Sequence, residues 1–498
     1  MTAALDLSAA RESSPAPPGI APARWARLEA FLGAMTPAAA GKLFATLEHA
    51  RLNGADDGLP TAAMLAALRA QLAAHKAQFP ARPLTAQRIF FTPFEDFFVS
   101  GRRGRKRRAR IARSSLAPLW RLLTEDAACL EARAAAVALD AAIARGAADL
   151  SALSDALYAT AALGLSRLVA HAEQDAAFRA DLGGRLAAGG DAQAGAAALL
   201  DLAEINLILP AHRHFALARA AFPKPVPALT EENLYEARAL YARVSAEAND
   251  AAPYLLLSIA ARMEAPWRAL RLVHHIAGAA DETLTHARED AEILAESLFE
   301  DLESHARQLE RDADDDLYTE DATASLSHFA EAAGGLIGEA SAAGDGVAVN
   351  RAEACRDIAA GALMRFCEQA HAAIRKTQPV RHAGGSSRLM GLRPDIDRPL
   401  DPGAEARAGA GAKFLAEAGN LAQRLGRADA AAALVADVAA ETRRYAGDLV
   451  SEIRAGEGAD RIAARRRMEQ TLALAGPLLP PAELALIRER AAAAAVSA

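Results

Sequence analysis

The amino-acid sequence predicts an all-α protein, built from helical bundles or from an irregular helical array. Hydrophobic residues make up 52% of the chain and aromatic residues only 5%, because much of the apolar content is alanine. Alanine favours helix and buries little area per side chain, so closely spaced helices are expected. Apolar residues recur every three or four positions, whereas the alternation typical of strands is nearly absent. With 498 residues the chain exceeds one ordinary core, which predicts two to three packed units with a flexible linker.

Helix-start signals and apolar stripes predict individual helices. Thr36 precedes Pro37, a residue suited to the first helical turn, and Thr61 and Thr230 precede apolar-periodic segments in the same manner. Two stripes have the spacing of an amphipathic helix. The first comprises Leu234, Ala237, Tyr241 and Val244, and the second comprises Leu284, Ala287, Ala291, Leu294, Leu298, Leu302 and Leu309. The second stripe packs either inside the monomer or against its own copy, so a homo-oligomer stays open.

Clusters of glycine and proline divide the chain. A proline-rich start predicts a disordered leader, and the prolines of 222–227 interrupt the helical pattern. The stretch 379–411 combines prolines with a Gly-Gly-Ser-Ser run and has little apolar periodicity, so it predicts a flexible joint. The predicted order is a leader over 1–22, an N-terminal helical region over 23–222, a central helical domain over 226–376, a linker over 377–412 and a C-terminal helical segment over 413–498.

The N-terminus, the cysteines and the apolar runs predict a cytoplasmic protein. Residues 1–22 lack the basic start and apolar core of a signal peptide. The three cysteines are odd in number and form no CxxC pair, so neither a disulfide framework nor a cysteine zinc site is expected. Apolar runs such as 251–261 fall short of the roughly 18 to 20 residues that cross a bilayer. We therefore expect no transmembrane segment, while peripheral contact with a membrane surface stays open.

Two charge blocks of opposite sign interrupt the alanine-rich background. Residues 102–113 include eight basic side chains and no acidic one, and residues 281–321 include sixteen acidic side chains and three arginines. Five phenylalanines directly precede the basic block, and they are most simply core anchors of the N-terminal unit because they bury far more area packed than exposed. They are Phe90, Phe91, Phe94, Phe97 and Phe98. The net charge of −7 argues against a generally basic, polyanion-coating protein.

The basic block has several interpretations. It can bind the phosphates of nucleic acid or an anionic lipid surface, with the phenylalanines stacking on bases or inserting at the interface. It can also bind a protein partner, remain a solvated loop, or dock on the acidic 281–321 helix of the same chain or of a second copy. The candidate anion- or partner-binding residues are Arg102, Arg103, Arg105, Lys106, Arg107, Arg108, Arg110 and Arg113.

Aspartate and glutamate clusters give weak metal signals. The aspartate-rich run 312–316 suggests calcium, but the calcium-loop template requires glycine where Leu317 stands and glutamate where Thr323 stands. Glu368 and His371 have ExxH spacing, but the di-iron pattern needs a second copy and two further carboxylates. A helix-terminating acidic loop and a structural histidine are the ordinary interpretations.

The other histidines have no ligand spacing that stands out. His212 and His214 flank an arginine, and His274 and His275 are adjacent. His305 falls within the second apolar stripe, which favours a packed core histidine over a ligand. Neither a metal nor a cofactor is therefore predicted.

Local signatures of nucleotide and hydrolase chemistry are absent from the sequence: GxxxxGK[ST], GxGxxG after a strand, HExxH and GxSxG. Two charge blocks of opposite sign, in a chain without such signatures, favour a binding function over an enzymatic one. The leading hypothesis is a non-enzymatic cytoplasmic binding protein, a scaffold, adaptor or regulator, that makes protein–protein contacts through the 88–120 segment and the 281–321 helix. The alternatives are a nucleic-acid-associated protein that uses the 102–113 run, and an enzyme with an undetected helical active site.

Overall fold

Helices account for almost all of the structure. The computed structural model describes residues 22–52, 60–74, 84–99, 106–187, 191–278, 286–314, 320–382, 392–399 and 401–496. In these residues, strand is confined to two short pairs. The predicted all-α helical array is confirmed.

Short connections join most of the successive helices. The first half contains α1 (Pro22–Gly33), α2 (Pro37–Leu52), α3 (Thr61–Ala74), α4 (Ala86–Phe91), α5 (Leu116–Glu125), α6 (Leu130–Ala144), α7 (Ser151–Gln174), α8 (Ala176–Ala187), α9 (Ala192–Ile208) and α10 (His212–Ala221). The second half contains α11 (Glu231–Glu247), α12 (Ala252–Ala261), α13 (Ala269–Gly278), α14 (Ala287–Asp314), α15 (Glu320–Ala342), α16 (Gly346–Lys376), α17 (Pro402–Arg424), α18 (Ala428–Ala455), α19 (Gly458–Ala475) and α20 (Pro481–Val496). Strands β1 (Phe98–Val99) and β2 (Ile111–Ala112) pair in parallel, and β3 (Val380–His382) and β4 (Leu392–Pro394) pair antiparallel.

Threonine side chains start two helices as the sequence predicts. Thr230 and Asn233 form a capping box at the start of α11, each side chain accepting the other's backbone N–H at 3.2 Å. Before α2, Thr36 Oγ1 accepts the N–H of Ala39 at 3.3 Å. Thr61 is itself the first residue of α3. The hydroxyl signals therefore place these helix starts to within one residue.

The chain forms two compact units. Unit 1 consists of Met1–Thr92 and Trp120–Gly164, and unit 2 consists of Pro93–Leu119 and Leu165–Ala498. The chain passes from unit 1 into unit 2 after Thr92, which follows α4. It returns to unit 1 at Trp120 within α5 and enters unit 2 again at Leu165 within α7. The basic block accordingly belongs to unit 2, together with the acidic block.

The proline-rich stretch 223–227, expected as a domain boundary, lies inside unit 2. Val226 donates its N–H to the carbonyl of Arg262, and Glu264 donates its N–H to the carbonyl of Val226, each at 2.9 Å. The guanidinium of Arg262 also donates to the carbonyl of Phe222. These bonds tie the stretch to the loop after α12, so its prolines shape an extended backbone without separating two domains.

Four of the five phenylalanines before the basic block are buried core residues, whereas Phe98 is only half-buried. In unit 1, Phe90 and Phe91 are buried and pack against Trp120, with ring centroids 5.9 and 6.4 Å away. In unit 2, Phe94 and Phe97 are equally buried. The prediction that all five anchor the N-terminal unit is therefore too simple, because the division of the chain after residue 92 separates the first pair from the others.

The acidic helix α14 packs its apolar stripe inside unit 2. Stripe residues from Ala287 to Leu309 are buried, and the helix contacts α12, α13, α15 and α16. Leu284, the first residue of the predicted stripe, lies outside the described residues. Sequence alone left open whether this stripe pairs with a second copy, and the structure gives it partners within its own chain.

Much of the predicted linker 377–412 is ordered structure. Arg381 and Arg393 are paired across β3 and β4, and α17 begins at Pro402. Gly411 is buried against α16, where an added Cβ would lie 3.1 Å from the Cα of Ala370. Glycine and alanine here allow two helices to approach closely, a role that sequence composition does not distinguish from flexibility.

Candidate functional site

The predicted basic site leads into β2 in unit 2. Arg102, Arg103 and Arg105 lie outside the described residues, whereas Lys106, Arg107, Arg108, Arg110 and Arg113 are described. We call the described part, 106–113, the basic segment. Its backbone turns sharply at Ala109, which has a φ of +55°, a conformation uncommon for a residue with a side chain. The turn is held because the Ala109 N–H donates to Glu204 Oε1 at 3.0 Å.

The Lys106 ammonium is buried in a cluster of acceptors. Its Nζ lies 2.5 Å from Glu204 Oε2 and 3.2 Å from Asp201 Oδ1, both on α9. It also donates to the carbonyls of Arg107 at 2.9 Å and Arg110 at 3.0 Å. Only 6% of the side chain is exposed, so this cation is committed to the interior of unit 2.

The two carboxylates of α9 bind the backbone on either side of Lys106. Asp201 Oδ2 accepts from Ser115 Oγ at 2.8 Å and from the Ala112 N–H at 3.4 Å. Burial raises the pKa of Glu204, and the neighbouring Lys106 charge opposes that increase. The ion pair and the backbone bonds together hold the segment in one position.

Arg107 and Arg110 dock on the acidic helix. Arg107 Nη1 lies 2.5 Å from Asp301 Oδ1, and Arg110 Nη2 contacts the other carboxylate oxygen of Asp301. Asp301 belongs to α14, so the basic and acidic blocks meet within one chain. Among the arrangements that the sequence left open, docking on the acidic helix of the same chain is the one that these two arginines adopt.

Arg108 and Arg113 have the opposite placement. Both residues are exposed, and the Arg113 guanidinium lies over the Phe98 ring, 5.6 Å from its centroid. In the described part of the chain, no carboxylate forms an ion pair with either arginine. The basic segment therefore has three cations that fix it in place and two that face solvent.

Two arginines of α16 pair with carboxylates of the acidic block. Arg351 lies 2.5 Å from Glu296 and 2.7 Å from Glu303, and Arg365 lies 3.5 Å from Glu310. The hydrogen bonds to Arg351 lower the pKa of Glu296 and raise the pKa of Arg351 itself. Many carboxylates of α14 are thus paired inside the chain.

The predicted metal candidates do not converge. His371 Nε2 lies 2.8 Å from Glu441 Oε2 on α18, and this hydrogen bond lowers the pKa of Glu441. In the part of the chain that the structure describes, no group of three histidine, cysteine or carboxylate side chains has metal-binding geometry. Asp315 and Asp316 of the aspartate-rich run lie outside the described residues.

Other histidines occupy packed positions. His305 Nε2 lies 2.8 Å from Ser325 Oγ and its ring meets the Phe329 ring edge-on, as the core interpretation predicts. Burial lowers the pKa of His305, which favours its neutral form. His214 Nε2 lies 2.8 Å from Glu247.

The cysteine thiols are not poised for nucleophilic chemistry. All three cysteines are buried. Burial raises the pKa of Cys355, and it raises the pKa of Cys367 to about 12. Since the thiolate is the nucleophile, Cys355 and Cys367 are unreactive near neutral pH.

An open cleft of about 880 Å³ lies at the C-terminal end of α16. Its lining also comes from β3, β4, the start of α17, α18, and the residues Arg398, Pro399 and Asp401. The sequence does not predict this site, because its side chains lie far apart along the chain and about half of them fall inside the predicted linker. The one sequence signal was the basic end of α16, and such residues are ordinary at a helix C-terminus.

One helical stretch in the described residues is long and apolar enough to span a membrane, judged by length and composition alone. It covers Ala192–Ala221, which includes α9 and α10, and half of its most apolar window is buried inside the protein. Core helices of soluble proteins pass the same criterion. The absence of a transmembrane segment stays a prediction.

Comparison with known proteins adds no family: no family model, no curated protein and no solved structure matches this chain. The function is therefore argued from the chain's own residues.

Proposed function

We propose that this chain is a non-enzymatic cytoplasmic binding protein, a scaffold, adaptor or regulator, that contacts a protein partner through the basic segment. The observation that supports the proposal is the fixed position of this segment, with Arg108 and Arg113 facing solvent. A contact element that is already ordered loses less conformational entropy on binding than a free loop.

The basic side chains have two roles in this proposal. Lys106, Arg107 and Arg110 position the segment through carboxylates of α9 and α14. Arg108 and Arg113 contact the partner, whose complementary surface is acidic. Guanidinium groups suit this role because they bind carboxylates in a planar, two-point geometry.

The state of the reactive side chains favours binding over turnover. Cys355 and Cys367 are protonated, and His214 and His371 are each hydrogen-bonded to a glutamate. Glu441 also lines the C-terminal cleft, so the His371–Glu441 pair is the acid–base pair that the enzyme hypothesis would use.

Nucleic acid is the second candidate ligand of the same segment. Arg113 above Phe98 resembles a stacking platform for a base. The neighbouring carboxylates of Asp301, Asp201 and Glu204 oppose phosphate binding, which is why a protein partner is preferred.

The experiment captures partners from native lysate with the full-length chain, at low and high salt, with and without nuclease. The variant R108E/R113E reverses the two exposed charges, and R465E/R466E applies the same charge change to two exposed arginines of α19. We expect R465E/R466E to retain the protein partners after nuclease treatment and R108E/R113E to lose them.

Two results would overturn the proposal. Equal recovery with both variants would show that the basic segment makes no contact. Recovery of nucleic acid alone, dependent on Arg108 and Arg113 and weakened steeply by salt, would favour the nucleic-acid alternative.

A further inference from the structure

The C-terminal cleft has the size of a small-molecule site. Its volume of about 880 Å³ falls within the roughly 300–1,000 Å³ typical of ligand pockets. It belongs to unit 2 and lies far along the chain from the basic segment. None of its lining residues belongs to the basic segment, or to α9 and α14 that hold that segment, so the cleft is a separate site from the proposed partner surface.

The floor of the cleft is rigid and partly apolar. Pro379 and Tyr445 are buried there, and the Tyr445 hydroxyl donates to the Pro379 carbonyl at 3.2 Å. Burial raises the pKa of Tyr445 to about 12, so its phenol is neutral near pH 7. Gln378 Nε2 donates to Thr442 Oγ1 at 3.2 Å, which fixes the adjoining backbone. This floor suits a flat organic group and does not repel an anion.

Four cations line the cleft, and Arg375 among them lies 3.9 Å from Glu441. Lys376, Arg398 and Arg444 line the cleft and are exposed. In the described residues, none of these three side chains forms an ion pair with a carboxylate. Lys376 and Arg398 are therefore available to a ligand, whereas the Arg444 charge also helps to lower the pKa of Glu441.

The carboxylates of the cleft are mostly committed elsewhere. Glu441 accepts from His371 at 2.8 Å, and Asp401 caps α17 by accepting the Gly403 N–H at 3.2 Å. Asp448 is the remaining acidic lining residue. Four cations and three carboxylates line the cleft in all, so it has a small local excess of positive charge, although the whole chain has a net charge of −7.

We propose that this cleft binds a small organic phosphate of nucleotide size. Lys376, Arg398 and Arg444 bind the phosphate oxygens, and the organic group lies on the floor formed by Pro379 and Tyr445. Arginine forks match phosphate geometry in two-point hydrogen bonds, and lysine adds a point charge. A chain of phosphates also matches three cations better than a single carboxylate does.

The test is isothermal titration calorimetry of the full-length chain with ADP, inorganic phosphate and adenosine. We expect ADP to bind, inorganic phosphate to bind more weakly, and adenosine to show no binding. The variant R398Q/R444Q should weaken ADP binding by roughly tenfold for each arginine, because each loses a charge-assisted hydrogen bond. R465Q/R466Q, on the exposed face of α19, should bind ADP as the unaltered chain does.

A second variant shows whether a loss of ADP binding comes from the missing charge or from misfolding. Lys376 is exposed at the last turn of α16, so K376Q should fold normally and also weaken ADP binding. The inference is overturned if the unaltered chain binds no ADP at millimolar concentration. It is equally overturned if R398Q/R444Q and K376Q bind ADP as the unaltered chain does.

The outcome also separates this inference from the proposed partner binding. ADP recovered unchanged after incubation is consistent with both proposals. ADP that is hydrolysed by the unaltered chain, but not by R398Q/R444Q, supports the cleft as a phosphate site and contradicts a non-enzymatic protein. Loss of ADP binding in R398Q/R444Q with unchanged partner capture confirms that the two sites are independent.

Discussion

The basic segment and the C-terminal cleft differ in how many of their cations are paired with carboxylates of the same chain. In the segment, cations are dense in sequence, yet Lys106, Arg107 and Arg110 are paired with carboxylates of the same chain. In the cleft, cations come from separate elements, yet Lys376, Arg398 and Arg444 form no ion pair in the described residues. A run of charge in a sequence therefore does not show how much charge is available to a ligand.

The difference arises from sequence separation. Lys106 finds Glu204 on a helix 98 positions later, and Arg110 finds Asp301 191 positions later. Neither pairing leaves a local pattern. Substitutions in each region measure how much its charged side chains and helix contacts contribute to stability and binding.

The largest expected effect is at Lys106. Lys106→Met keeps the side-chain volume but leaves Asp201 and Glu204 buried without their counter-ion. We expect the free energy of unfolding to fall by about 3–5 kcal/mol, as for other broken buried ion pairs. Urea denaturation followed by circular dichroism measures the loss. Arg108→Ala, at an exposed position, is the control and should change stability by less than about 0.5 kcal/mol; equal effects would contradict burial of Lys106.

The next effect concerns the helix contact that supports the cleft. Gly411→Ala places a Cβ 3.1 Å from the Ala370 Cα, so α16 and α17 must separate slightly. We expect a loss of about 1–3 kcal/mol in unfolding free energy and weaker ADP binding. Gly409→Ala is the matched control, since an added Cβ there meets nothing within 4 Å. A stability of Gly411→Ala equal to that of Gly409→Ala would contradict the close helix approach.

A smaller effect is expected at Asp301. Its contacts with Arg107 and Arg110 are about one-third exposed, so Asp301→Asn should cost only about 1 kcal/mol of stability. The segment should nevertheless detach more often, and trypsin should cleave it faster after its arginines. Limited proteolysis with mass spectrometry gives the rates. Asp437→Asn, an exposed change on α18, should leave them unaltered, and an unchanged rate in Asp301→Asn would show that the acidic helix does not hold the segment.

The smallest effect is a pH dependence beside the cleft. The His371 hydrogen bond lowers the pKa of Glu441, so the ionised carboxylate adds stability above its ordinary pKa near 4.5. That contribution is lost as pH falls through the lowered value. Because Glu441 is 38% exposed, we expect His371→Ala to remove under about 1 kcal/mol at pH 6 and less at pH 3. The test is the free energy of unfolding of the unaltered chain and of His371→Ala from pH 3 to 6, with the exposed His382→Ala as control. A difference between the unaltered chain and His371→Ala that does not change with pH would contradict the His371–Glu441 pair.

The helical class and several elements are readable from the sequence. Capping threonines and the apolar stripe of α14 give correct signals because helix periodicity is a local property. The predicted linker failed over α17 because buried Gly411 and its alanine neighbours resemble a flexible joint in composition. The cleft could not be predicted, since it depends on how α16, α17 and α18 come together.

The central claim is that the basic segment is docked and not a solvated loop. Hydrogen–deuterium exchange of peptides covering 106–113 tests it most directly, because the N–H groups of Ala109 and Ala112 are bonded to carboxylates of α9. We predict slow exchange in the unaltered chain and faster exchange in Lys106→Met under native conditions. Exchange of this segment in the unaltered chain at the rate of an unstructured peptide would contradict the claim.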